Sequence, residues 1–351
     1  MYTRRQFGLQ LGALSALAAT RGGKAWAEDQ TLRFASISVD GSPTYVNGLV
    51  PYAHAIEQAS GGKLEVALKP AGGYGKPTDL LSMLGRGDIE ICATTQGYYP
   101  GRFPESTAVE LPLLYDTGVV GTKVLNGLFK DGLLAKDYAG LKVLALYVVV
   151  PFGLFTTGKK VNSLRDLRGM RIRVPGATIG LPLARLGAIP LGIPVNTTGE
   201  AIANGTVDAI AFSMDSTLGT RGAGGKMLAD QLSVAVDMRF AAPAQCVLMN
   251  QAKWDALPAD MQKAIEACSA AFTVDGARQR EEAEAAARQK IQSDPRYTFV
   301  PFSQQLHDEM QQAMAPVYDD WKADMTKRGI DGGQLLGRAR DLVKQFSVAS
   351  N

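Results

Sequence analysis

The chain has 351 residues, 46% of them hydrophobic and 20% charged, enough for a sizeable core and unlike a disordered or low-complexity polymer. Its formal net charge of +3 resides in residues 1–27: taking their four basic residues from the total of 37 leaves 33, against 34 acidic ones. With no basic excess left, nucleic acid and anionic membrane surfaces are set aside as partners, and the length suggests two domains.

Residues 1–27 read as an export leader. Thr3-Arg4-Arg5-Gln6-Phe7-Gly8-Leu9 resembles a twin-arginine signal, an apolar stretch continues to Ala19, and Ala25-Trp26-Ala27 supplies an A-x-A cleavage site. The apolar stretch is too short and glycine-rich to span a membrane, and no other segment reaches that length. The mature chain is expected to be soluble and periplasmic, cleaved after about Ala27.

A strand is predicted over Leu32–Ser36, then a Gly41-Ser42-Pro43 turn and a helix through Tyr45, Leu49, Tyr52 and Ile56 that stops at Gly61-Gly62. Leu64–Leu68 alternates as a second strand. The glycine-rich segment from Pro70 to Pro77 lacks both G-x-x-x-x-G-K-[ST] and G-x-G-x-x-G, and reads as a turn. Leu81 to Gln96 reads helix, glycine, aspartate, strand, polar end. Ala201 to Asp215 repeats that order, so two related α/β domains are expected, each delivering a strand end to a shared cleft.

The most informative stretch lies between Ser163 and Asp215. Ser163 can cap a short helix with Asp166 completing the box, and Gly169 stops it. The strand Met170 to Val174 follows, with Ile172 and Val174 on one face and Arg171 and Arg173 on the other. Pro175-Gly176 ends it, which puts Arg173 at a strand's carboxyl end, where α/β sheets bind ligands. A guanidinium there suits a carboxylate, held by two parallel hydrogen bonds. The pattern alone leaves open that both arginines merely occupy a solvent face.

The chain is expected to cross between domains near Leu141–Leu146 and Val148–Pro151, and to return through Gln245–Met249. That gives domain 1 residues 28–150 and 236–255, domain 2 residues 151–235, and a C-terminal region of scaffold and finishing helices over 256–351. A long helix runs from about Leu257 to Asp294, and its charge run around Arg278–Arg288 reads as a solvated face with i,i+4 pairs. Amphipathic helices follow around Gln304–Lys327 and Gly333–Phe346.

For catalysis there is little. The two histidines, His54 and His307, have no evident nucleophile partner, no G-x-S-x-G elbow exists, and no acid pair recurs at catalytic spacing. Cys92, Cys246 and Cys268 lie in apolar contexts and read as buried, inert thiols, and no group has metal-ligand spacing. Neither an enzyme nor a cofactor or metal site is expected.

The runs L-R-G-M-R-I-R-V-P (167–175), L-G-A-I-P-L-G-I-P (186–194) and G-T-V-D-A (205–209) resemble the DctP family, the extracytoplasmic solute-binding subunits of TRAP transporters. The resemblance covers nearly all the chain after residue 30. It implies an α/β, two-domain, periplasmic-binding-protein-like receptor with a hinged cleft and a long C-terminal scaffold helix, partnered by TRAP permease subunits. It also implies that the second arginine of the strand, Arg173 and not Arg171, binds the ligand carboxylate. In the dicarboxylate and sialic-acid branches, the strand after G-x-V-D ends G-Q-E-N-P and its Asn helps hold the ligand. Here Phe212 takes that position. Where those branches often carry a further upstream arginine, this chain has Pro151-Phe152-Gly153-Leu154-Phe155. Phe152, Phe212 and Tyr45 are then expected to line an apolar pocket beside Arg173, with Phe155 in the core. Thr95 and Gln96 would supply polar contacts from the opposite wall, and Asp215 would accept a ligand hydroxyl. The expected ligand is a small organic acid, a monocarboxylate with an apolar or aromatic body. A periplasmic sensor, a C4-dicarboxylate receptor and a fold-related enzyme are the rival readings.

Overall fold

The computed structural model describes residues 30–301 and 303–348, so the export leader expected over residues 1–27 lies outside the described residues. Its strands are β1 (Gln30–Ser36), β2 (Leu64–Lys69), β3 (Ile91–Thr95), β4 (Leu141–Val148), β5 (Gly153–Thr156), β6 (Arg171–Val174), β7 (Ile189–Gly192), β8 (Ala209–Phe212), β9 (Val234–Val236), β10 (Ala244–Asn250) and β11 (Thr298–Val300). They form two sheets, ordered β2-β1-β3-β10-β4 and β11-β9-β5-β8-β6-β7. Each sheet is covered on both faces, as buried parallel strands require. Along β8, Ala209 and Ala211 enter one core and Ile210 the other, and Phe155 is buried in the latter.

The two sheets share a corner that the repeated helix-Gly-strand segments create. In the first, Glu90 accepts from the backbone N–H of Arg33 at 2.9 Å and from its guanidinium at 2.8 and 2.9 Å. In the second, Asp208 does the same for Arg171, at 3.0 Å from the backbone and 2.9 and 3.1 Å from the guanidinium. In both halves the acid precedes a strand lying parallel to the arginine's own strand. The Arg171 pairing holds the Asp208 carboxyl well below its usual range.

The chain crosses from the first sheet to the second between β4 and β5 and returns between β9 and β10. The crossings are laced together: Phe152 N–H donates to Ala241 O at 2.8 Å, and Phe240 N–H to Phe152 O at 3.2 Å. A third link is the helix Ala259–Ser293, whose charge run departs from the expected solvated face. Glu281 accepts from Gly118 N–H at the start of the helix Gly118–Lys130 in the first domain. Glu284, buried, accepts from Met214 and Asp215 N–H in the second, at 3.1 and 3.0 Å. Arg288 forks onto Asp237 at 3.0 and 3.1 Å, and Arg239 grips the same carboxylate at 3.1 and 3.0 Å. The physical reason is that helix starts buried against a neighbour need acceptors for their free N–H groups, and carboxylates on the long helix provide them.

The domain division expected from sequence assigns residues 298–300 to the helical C-terminal region. In the structure they form β11, parallel to β9 with Thr298 opposite Val234, and so extend the second sheet. The three thiols are free, and burial pushes Cys92 up to about 12. Among the described residues no helix is long and apolar enough to cross a membrane.

Glu110 is buried where the first domain meets the returning strand, its carboxyl accepting from Ala244 N–H at 2.9 Å. Burial pushes it from 4.5 up to about 7, and burial likewise pushes Asp137 up to about 6. Between the unfolded and folded values the native state holds protons that the unfolded chain has released. Stability is therefore highest near or below pH 4.5 on this account and falls as pH rises towards 7. Glu110→Gln removes one such proton, so it should flatten that decline by roughly 2–3 kcal/mol, measured by thermal or urea unfolding from pH 5 to 8. An unchanged slope would show that Glu110 titrates normally.

Candidate ligand-binding site

The carboxyl ends of β3, β6 and β8 converge on a cleft between the two sheets. Arg173 stands at the end of β6, only 1% exposed. Its Nε donates to Ile193 O at 2.8 Å, Nη1 to Ala211 O at 3.5 Å, and Nη2 to the Tyr98 hydroxyl at 3.4 Å. Its guanidinium also lies 5.4 Å from the Phe212 ring centroid. Among the described residues no carboxylate forms an ion pair with it, and burial lowers its pKa. Arg171, by contrast, is half exposed and committed to Asp208. One strand thus presents a paired arginine at its start and a buried, unpaired one at its end.

Tyr98 comes from the first domain and reaches the second. Besides Arg173, its hydroxyl accepts from Val195 N–H at 2.8 Å. The chain around it approaches the other domain as closely as backbone allows. A Cβ on Gly97 would stand 2.9 Å from Gly176 Cα, and one on Gly176 would stand 2.7 Å from Gly97 Cα. At a second contact, a Cβ on Gly219 would overlap the Pro43 ring. The two domains meet across the cleft at these points.

Of the residues expected from sequence, Thr95, Phe152, Arg173 and Phe212 meet around this cleft. Phe152 and Phe212 pack edge to face with centroids 5.7 Å apart, forming an apolar wall beside the guanidinium. Three others do not line it. Gln96 follows Thr95 and so turns to the opposite side of the strand end, where its Nε2 donates to the Tyr138 hydroxyl at 2.6 Å inside the first domain. Tyr45 packs against the first-domain core, while Ser42 and Thr44 take the cleft side. Asp215 lies behind the wall, its Oδ1 accepting from the Ser213 and Ser216 hydroxyls at 2.7 and 3.2 Å.

Sequence reasoning missed Tyr98, Ser42, Val195, Ser213, Ser216 and Gln245, all of which line the cleft. For Tyr98 a signal existed: an aromatic pair, Tyr98-Tyr99, directly after a strand end and a glycine. Only one of the pair can face the cleft, and Tyr99 instead donates to Pro77 O at 2.8 Å.

Residues 34–324 match the profile of the DctP family, described as bacterial extracellular solute-binding protein, family 7. The chain belongs to this family. A TRAP solute-binding protein from a marine metagenome, specific for aromatic acids and solved with metahydroxyphenylacetate, is 28% identical, with TM-score 0.82 over 90% of this chain and 98% of that one. A TRAP solute-binding protein from Rhodoferax ferrireducens T118, solved with copurified benzoate, is 25% identical, with TM-score 0.84 over 92% and 100%. Among curated relatives, the outer membrane transporter protein TsaT of Comamonas testosteroni is 23% identical over 323 residues, 88% of this chain and 90% of its own length. The protein is thus a TRAP periplasmic solute-binding protein by family and fold, an architecture of transport receptors and not of enzymes. Such receptors take small carboxylates and work with membrane permease subunits.

In this TRAP receptor the glycine contacts have a direct consequence. Gly176 has φ −173°, extended backbone open to any residue, and Gly97 does not adopt positive φ. Alanine at either position is therefore opposed only by the facing domain. Gly97→Ala and Gly176→Ala should unfold near the wild-type temperature yet bind ligand at least about tenfold more weakly, with a larger radius of gyration in ligand-saturated X-ray scattering. Wild-type affinity in both variants would refute tight closure at this point.

Proposed function

We propose that this receptor captures an aromatic or otherwise apolar monocarboxylate in the periplasm and delivers it to a TRAP permease. The observation that carries the reading is Arg173, a buried cation with no carboxylate partner among the described residues. Leaving a buried charge unpaired costs several kcal/mol, and an incoming carboxylate removes that cost. Two guanidinium N–H groups beyond those bonded to Ile193, Ala211 and Tyr98 remain to receive it.

The rest of the lining limits what the carboxylate is attached to. Arg173 is the one charged residue among the described residues around the cleft, so a second carboxylate meets no cation. It meets Phe152, Phe212, Val149 and Ile37 instead. An apolar body gains about 25 cal/mol per Å² of surface removed from water there. The metahydroxyphenylacetate and benzoate held by the two similar receptors support the same class.

Calorimetric titration of the mature protein tests this. Monocarboxylates such as benzoate should bind at least about a hundredfold more tightly than succinate or malate, ~2.7 kcal/mol. Equal binding of a C4-dicarboxylate would sink the pocket reading and leave the receptor reading standing. Arg173→Lys keeps the charge but loses the planar fork, and should weaken binding by roughly 2–4 kcal/mol. Arg171→Lys, remote from the cleft on Asp208, should leave ligand affinity near wild type. Equal losses from the two substitutions would show that the strand does not separate their roles.

A further inference from the structure

The hydrogen-bond polarity of the cleft is set by the partners that its lining groups already hold. At one end, the Tyr98 hydroxyl already accepts from Val195 N–H and Arg173 Nη2, which occupies both of its lone pairs. Its own proton has no acceptor among the described residues, so Tyr98 can only donate. Arg173 has no acceptor at all. That end therefore reads an acceptor, as a carboxylate is.

Beyond Phe212 the polarity reverses. Ser213 and Ser216 both line the cleft, and each hydroxyl has a single proton. Both protons are given to Asp215 Oδ1, at 2.7 and 3.2 Å. What remains on each oxygen is lone pairs. Asp215 also acts behind them: burial, and after it the Asp215 carboxylate, raises the pKa of Glu284, which holds the Met214 and Asp215 N–H groups. Across the cleft, Ser42 Oγ is buried and has no partner among the described residues. The adjoining Pro43 rests on Gly219, in the same short helix as Ser216. Three hydroxyl oxygens from two domains thus line the same cleft as Arg173, two of them restricted to accepting.

We propose that the lining of the cleft is polarised, with donors at Arg173 and Tyr98 and acceptors at Ser213 and Ser216, and that its ligand is a monocarboxylate bearing a hydroxyl or similar hydrogen-bond donor besides the carboxylate. The proposal rests on the monocarboxylate reading of the same site. Asp215 acts as a positioning residue, through the two serines. A ligand without a donor leaves the serine oxygens desolvated and unpaired, while one that sets an acceptor against Ser213 or Ser216 places lone pairs against lone pairs.

The test compares benzoate, 3- and 4-hydroxybenzoate, and the corresponding methoxybenzoates by calorimetry on the wild-type protein. The methyl ethers keep the oxygen and lose the donor. At least one hydroxybenzoate should bind at least about tenfold more tightly than both benzoate and its own ether. In Ser213→Ala/Ser216→Ala, and more mildly in Ser216→Ala alone, the advantage of the hydroxyl over the ether should disappear. Benzoate binding with no gain from either hydroxyl, or ethers binding as well as phenols, would overturn the polarised cleft and leave the monocarboxylate reading intact. Failure of every one of these acids to bind would overturn both. The wild-type series decides the matter even if the double variant does not fold.

Discussion

The energetics of the molecule turn on one guanidinium buried at the end of a short strand without a counter-ion. Three acceptors hold Arg173 in place, the carbonyls of Ile193 and Ala211 and the hydroxyl of Tyr98. Two of these belong to its own domain and the third comes from the other. Closing the cleft therefore removes water from a cation and, among the described residues, returns to it only one long hydrogen bond from the other domain. With no anion present that exchange is unfavourable, because the desolvation of a charge exceeds what neutral acceptors return. With a carboxylate in place, the same closure strengthens the ion pair by excluding water around it. The ligand thus interacts differently with open and closed forms, which is the requirement for a ligand to shift such an equilibrium. On the proposed carboxylate reading, recognition and closure are one electrostatic event.

The two halves show why the charge comes from one side. Each is built on the same corner, Arg33 with Glu90 and Arg171 with Asp208, set by an acid that precedes a parallel strand. Two residues beyond the arginine, the first half has Ala35 and the second has Arg173. Both positions pair with the strand that follows the acid, Ala35 with Cys92 and Arg173 with Ile210. The architecture therefore offers two equivalent places for a cation and the sequence fills one. The other half contributes hydroxyls and Tyr98, groups that orient a ligand without adding charge.

Much of this was legible in residues whose role is local. The period-two alternation of R-I-R-V, its stop at Pro175-Gly176, and the repeated glycine-acid-strand units mark the strand ends that make the cleft. The separation of Arg173 from Arg171 came from family resemblance. Neighbouring residues at strand ends were harder, because a strand sends successive side chains opposite ways: Thr95 lines the cleft and Gln96 enters the core. Asp215 was expected to meet a ligand hydroxyl directly. Its placement behind Ser213 and Ser216 depends on the first turn of a short helix, whose rotation the sequence does not encode in any simple pattern. The charge run of the long helix misled for a related reason. Alternating charges look solvated on a single helix, and only the two helix starts packed against it show that Glu281 and Glu284 are acceptors.

That long helix also constrains how the domains can move. Glu281 is fixed to the first domain, and Glu284, one turn on, to the second, at the same short helix that carries Ser216. Arg288, a turn further, grips Asp237 where β9 leaves the second sheet. Three attachments along one rigid rod hold the back of the cleft at fixed spacing. Freedom is left to the crossings at 149–152 and 237–243, which are bonded to each other through Phe152, Phe240 and Ala241. Arg239, in the second crossing, has φ 45°, and Leu113, whose N–H bonds Phe240 O at 2.8 Å, has φ 54°. Two non-glycine residues with left-handed φ, one in the return crossing and one bonded to it, mark backbone held by its surroundings against local preference. A rod that pins both domains and a strained crossing between them leave opening to the contact where Gly97 meets Gly176.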